Sequence, residues 1–109
     1  MQMKQCILAV AMAASMLCVS AGPKETTVLI KNLSYLPDTV TVKVGETVTW
    51  LNNDDRDHTV RGPGFNSGNI KPGKTWSFVF PKAGDYPYGC AYHPRMRGTV
   101  KVQDDGKQQ

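Results

Sequence analysis

An all-β sandwich of about seven strands is the fold this sequence predicts, and three observations predict it. Apolar residues recur at every second position in several short runs. Ten Gly and seven Pro punctuate the chain from Gly22 onward, as expected of short strands joined by turns. No segment supplies the helical crossover of a dozen residues that a parallel sheet needs. The 109 residues leave room for one domain.

The first 21 residues are expected to lie outside that domain. Met1 to Gln5 carry a lone Lys4, Cys6 to Val19 form an apolar run broken only by Ser15, and Val19-Ser20-Ala21 offers a cleavage point. This is the pattern of a secretory signal peptide, and the apolar run falls short of the roughly 20 residues of a spanning helix. Lipid attachment at Cys18 would need a small residue where Leu17 stands. Residues 22–109 are then a single exported domain.

Within it, Thr27 to Leu33 reads as the first strand, with Val28 and Ile30 on one face. Tyr35-Leu36-Pro37 is a bend. Val40, Val42 and Val44 alternate with Thr39, Thr41 and Lys43, one face to a core and one to water. Gly45-Glu46 turns the chain into Thr47 to Leu51, where Val48 and Trp50 share a face. Asn52 to Asp57 is an acidic loop, and His58-Thr59-Val60 begins a short strand closed by Arg61 to Gly64. Phe65 to Gly73 reads as a connection. Trp76, Phe78 and Phe80 alternate with Thr75, Ser77 and Val79 and are expected in the core. Asp85 to Cys90 runs extended with Tyr86, Tyr88 and Cys90 on one face, and Pro87 suggests an edge or a bulge. Gly98 to Gln103 is the last strand, with Val100 and Val102 inward, and Asp104 to Gln109 is a solvated tail.

The charge excludes some function classes. The full chain carries 13 Lys and Arg against 9 Asp and Glu. Only Lys4 leaves with residues 1–21, so the exported domain has a net charge of +3. No basic run interleaved with aromatics calls for nucleic acid.

The informative residues are scarce ones. Cys6, Cys18 and four of the five Met fall in residues 1–21, which leaves the domain Cys90 and Met96, with His58 and His93 as its histidines. Cys90 therefore has no internal disulfide partner. Three of these four residues lie within Cys90-Ala91-Tyr92-His93-Pro94-Arg95-Met96. Taken singly, Cys90 and Met96 also suit a core and His58 an exposed loop. Taken together, two His, one Cys and one axial Met form the donor set of an electron-transfer copper site. The C-x2-H-x2-M spacing suits a tight loop between strands, and His58 is the remaining donor. Zinc is disfavoured by the thioether. A Cys90–His93 thiol enzyme lacks a group to orient His93. The Asp54-Asp55-Asp57 cluster reads as a solvated loop rather than a Ca²⁺ cage.

Val48-Thr49-Trp50-Leu51-Asn52, His58-Thr59-Val60 and the stretch from Gly84 through Cys90, His93 and Met96 to Gly98 resemble the cupredoxins, nearest the amicyanin/plastocyanin-like group. The resemblance covers Gly22 to Gln103. It implies a Greek-key β-sandwich of about seven or eight strands holding one type 1 copper through His58, Cys90, His93 and Met96. It also implies a non-enzymatic carrier of single electrons between Cu(II) and Cu(I), exported to the periplasm. The expected partners are transient redox proteins of the dehydrogenase or c-type cytochrome class, met by a monomer with no membrane span and no nucleic acid. Storage or delivery of periplasmic copper is the alternative. Thr59 stands where amicyanin and azurin carry an Asn that braces the ligand loops, and Asp57 stands where amicyanin has Pro. Asn52 is expected to bond backbone near Cys90 or Ala91. Arg56, Arg61, Arg95 and Arg97, close to the ligands in sequence, are candidates for steering an acidic partner.

Overall fold

The computed structural model describes residues 24–104. The expected signal peptide, residues 1–21, lies outside the described residues. Nine strands make two facing sheets, and the described residues contain no helix. In chain order they are β1 (Glu25–Lys31), β2 (Ser34–Leu36), β3 (Thr39–Lys43), β4 (Thr47–Asn52), β5 (Arg61–Gly62), β6 (Phe65–Asn66), β7 (Thr75–Val79), β8 (Gly84–Gly89) and β9 (Arg97–Gln103). One sheet has the order β2-β1-β4-β7 and the other β3-β9-β8-β5-β6.

Both sheets are mixed: β1 runs parallel to β4, and β3 parallel to β9. Neither pair needs a helical crossover, because the chain between β1 and β4 passes through β3 of the opposite sheet. Sequence alternation captured the faces and missed this route.

The period-two residues fill the space between the sheets. Val28, Ile30, Val48, Trp50, Phe80 and Val100 are fully buried, with Val42 and Val102 nearly so. Trp76 and Phe78, expected in the core, are half-buried on the edge strand β7 and stack against Phe65. Pro87 lies where β8 is bonded to β9 on one side. The other side of β8 is paired only at Gly89, so the proline costs no ladder bond there.

The elements depart from the sequence reading in two places. The first strand stops at Lys31, because Asn32 and Leu33 take φ of 54° and 57° in a two-residue turn that pairs Lys31 with Ser34. The expected bend at Tyr35-Leu36 is therefore the return strand β2. His58-Thr59-Val60 is not a strand. All three residues are buried, and His58 makes only an isolated bridge with Ile70. Pairing begins instead at Arg61. Pro63-Gly64, with Gly64 at φ 86°, folds Gly62 back on Phe65 in the pattern of a type II turn. That makes β5 and β6 of residues read as turn and connection.

Candidate metal centre

Two loops meet at one end of the sandwich. The first leaves β4 and reaches His58; the second joins β8 to β9 and carries Cys90, His93 and Met96. The second is very short. The Met96 amide donates to the His93 carbonyl at 2.9 Å, and the Cys90 amide to the Met96 carbonyl at 3.4 Å. Gly89 sits close beneath this closure, since a Cβ there would lie 3.0 Å from the Met96 carbonyl oxygen.

His58, Cys90 and His93 come together, their donor atoms all within 4.8 Å of one another. Cys90 Sγ lies 3.8 Å from His58 Nδ1 and 3.6 Å from His93 Nδ1. Bonds of about 2.0–2.3 Å to a shared ion at trigonal angles would separate such donors by roughly 3.6–3.8 Å, so the spacing fits one ion. Met96 is 2% exposed and lines the same depression as Cys90. His58 is fully buried, whereas His93 is half-buried beside Tyr92 and Pro94. Soft sulfur with imidazole suits copper over harder ions.

The tautomer of His58 follows from its other nitrogen. Nε2 lies 2.9 Å from Asp54 Oδ2. A carboxylate only accepts, so Nε2 carries the proton and Nδ1 presents its lone pair toward Cys90. Asp54 also accepts the amides of Asn32 at 2.7 Å and Leu33 at 3.0 Å. Burial disfavours its charge, but those two amides and His58 outweigh it and hold the carboxyl below its ordinary range. The same bonds support the left-handed turn at Asn32 and Leu33. Asp54, read as part of a solvated cluster, is thus the residue that sequence reasoning missed. Its spacing four before His58 was the available signal.

Asn52 is buried, as a bracing residue should be, but it bonds the other loop. Its Nδ2 donates to the carbonyls of Arg56 at 2.8 Å and Ile70 at 2.7 Å, and its Oδ1 accepts the Asp54 amide at 2.9 Å. The expected bond to Cys90 or Ala91 is not made. Thr59 makes it instead: its Oγ1 accepts the Ala91 amide at 2.8 Å. A shorter side chain than Asn therefore still ties the two ligand loops together. Tyr35 adds a bond from its hydroxyl to the Thr59 carbonyl at 2.6 Å.

Replacing Asp54 by Asn puts an amide N–H against a donor already aimed at that position. Leaving a buried donor unmet costs about 1–3 kcal/mol, so urea unfolding of metal-free D54N should show a loss of that order. Groups that orient a metal ligand are typically worth about 10–100-fold in affinity, and copper binding should weaken accordingly. Wild-type stability and affinity in D54N would contradict this role for Asp54.

The Cupredoxin-like domain family model matches residues 4–102 of this chain. Amicyanin of Paracoccus versutus is 36% identical over 81 residues, 68% of this chain and 61% of the relative. The chain thus spans about three fifths of the amicyanin's length. Plastocyanin of Scenedesmus fuscus is 36% identical over 86 residues, 65% of this chain and 88% of the relative. Among solved structures, a purple cupredoxin from Nitrosopumilus maritimus superimposes with a TM-score of 0.68 at 30% identity, covering 72% of this chain and 99% of that one. A methionine-to-alanine mutant of amicyanin in its Cu(I) form gives 0.69 at 34% identity, covering 72% and 82%.

Proposed function

We propose that this chain, which belongs to the cupredoxin family, is an exported electron carrier that holds one type 1 copper with His58, Cys90, His93 and Met96. The observation that carries the reading is the convergence of one thiol and two imidazoles within 4.8 Å of one another, with a buried thioether lining the same depression. Copper supplies a one-electron couple, Cu(II)/Cu(I).

The chain's own residues make that couple fast by holding still. Asp54 fixes the His58 ring and its tautomer. Thr59 ties the His58 segment to Ala91, next to Cys90. The Met96 amide pins the His93 carbonyl, which keeps the ligand loop closed. Burial of Cys90 and Met96 keeps water from the sulfurs. His93 offers the exposed edge through which an electron leaves. Export to the periplasm is part of the proposal, and it rests on the pattern of residues 1–21. Among the described residues no helix is long and apolar enough to cross a membrane.

Storage or delivery of copper would favour labile, exposed donors. Here His58, Cys90 and Met96 are buried, and Met96 is the only Met from residue 22 onward. Voltammetry with a chelator challenge separates the two readings. A carrier gives a reversible one-electron wave and keeps Cu(I) against a competing chelator; a delivery protein surrenders it and gives no stable wave. The Met96→Ala variant should still bind Cu(II), because an axial thioether bond is weak and long, and its reduction potential should move. Complete loss of Cu(II) binding would make Met96 more than an axial ligand.

A further inference from the structure

The chain between β5 and β7, read from the sequence as a connection, is bonded to both loops that carry the candidate ligands. The Ile70 amide donates to the His58 carbonyl at 2.7 Å, and the Ile70 carbonyl accepts the His58 amide at 3.2 Å and Asn52 Nδ2 at 2.7 Å. Ser67 grips Val60 in the same way. Its Oγ accepts the Val60 amide at 2.8 Å, and its own amide donates to the Val60 carbonyl at 2.9 Å. Between these two anchors Gly68 takes φ of 69°, a conformation suited to glycine, and its amide donates to Asn66 Oδ1 at 3.0 Å. The turn so held presents Asn69 at the surface, where Asn69 Oδ1 accepts the hydroxyl of Tyr92. Tyr92 belongs to the ligand loop, immediately before His93, and is 53% exposed. With half its surface in water, Tyr92 is held less by burial than by that bond.

We propose that Tyr92 is a positioning residue for His93: its bond to Asn69 latches the ligand loop to the segment of His58 and slows the opening through which the metal leaves. The inference rests on the metal-site reading above. His93 is bracketed on both sides. Before it, the Ala91 amide is tied to Thr59 Oγ1 and the Tyr92 hydroxyl to Asn69; after it, the Met96 amide closes on the His93 carbonyl. His58 is fully buried, whereas His93 is half-buried, so any opening of the site begins at His93. Tyr92 and Asn69 are the tie that crosses from this end of the loop to residues bonded directly to His58.

Two measurements decide it. The first needs no metal: backbone hydrogen exchange of the metal-free protein. One hydrogen bond has a modest net worth, so Tyr92→Phe, which keeps the ring, should speed exchange at the Met96 amide by about three- to tenfold. Exchange at Val100 in the core should not change. Tyr86→Phe is the matched control, because it removes a hydroxyl bonded to the Lys82 carbonyl at 2.8 Å, outside the ligand loop. It should leave Met96 exchange as in wild type. The second measurement is transfer of Cu(I) from the loaded protein to excess bicinchoninate. Tyr92→Phe and Asn69→Ala should each speed release by about three- to tenfold, and the double variant should be no faster than either alone. Asn69→Asp keeps an acceptor oxygen for the hydroxyl and should stay within about twofold of wild type. Wild-type exchange at Met96 in Tyr92→Phe would overturn the latch. Faster exchange with unchanged release, or additive effects of the two variants, would overturn the positioning role and leave electron carriage intact. A chain that bound no copper would fail the carrier reading, and the exchange comparison would still decide the latch.

Discussion

Cys90→Ser should abolish the visible colour of the copper-loaded protein while the sandwich stays folded. A thiolate-to-copper band requires sulfur, and Cys90 sits at the end of a core whose fully buried members include Val28, Ile30, Val48, Trp50, Phe80 and Val100. Cys90 is 7% exposed at the end of β8, with imidazole nitrogens at 3.8 and 3.6 Å. Serine's shorter C–O bond leaves its hydroxyl out of hydrogen-bond reach of those nitrogens, so its burial should cost about 1–3 kcal/mol, too little to unfold the sandwich. Circular dichroism and urea unfolding of the metal-free variant check the fold, and absorption after Cu(II) addition checks the colour. An intense visible band in C90S would refute the assignment of Cys90.

Trp50→Ala should produce the largest loss of stability. The side chain is fully buried on β4, with Trp76 at 5.5 Å and Tyr88 edge-on at 5.4 Å between ring centroids. Deleting a buried aromatic typically costs about 3–5 kcal/mol, a large part of what a domain this size possesses. Trp50 Nε1 has no hydrogen-bond partner, so the loss is one of packing, and Trp50→Phe should recover most of it. The effect should reach the site. Tyr88 packs on Trp50 and on Tyr35, whose hydroxyl holds the Thr59 carbonyl. Burial pushes the Tyr88 hydroxyl up to about 12, so it stays neutral at working pH. Copper affinity in the alanine variant should fall with stability, and unfolding free energies from urea titration decide the packing claim. A loss under about 1 kcal/mol would contradict it.

The alternation of Val40 with Val42, and of Val48 with Trp50, was enough to place the sheets' inner faces, because a strand's side chains have only two directions to choose from. The four candidate ligands were legible for a different reason. Cys90, His93 and Met96 are close in sequence, and scarcity left His58 as the remaining donor. What the sequence did not disclose depends on contacts between distant segments. Asp54 looks like any acid of a polar loop until the turn at Asn32 and Leu33 arrives beside it with two amides. Asn52 and Thr59 exchange roles relative to expectation because the Thr59 side chain, next to His58, is the one facing Ala91. The parallel pairing of β1 with β4 depends on β3 crossing to the other sheet, which no local period records. The two-residue strands β5 and β6 are too short to carry a period at all.

The central claim is that this chain holds one copper through the Cys90 thiolate and cycles it by single electrons. Titrating the purified protein with Cu(II) while recording visible absorption tests that most directly. The account predicts an intense visible thiolate-to-copper charge-transfer band that colours the protein blue, saturates at one copper per chain, bleaches on reduction by ascorbate and returns on oxidation. A protein that stays colourless at saturating Cu(II), its Cys90 still titrating as a free thiol, would contradict it.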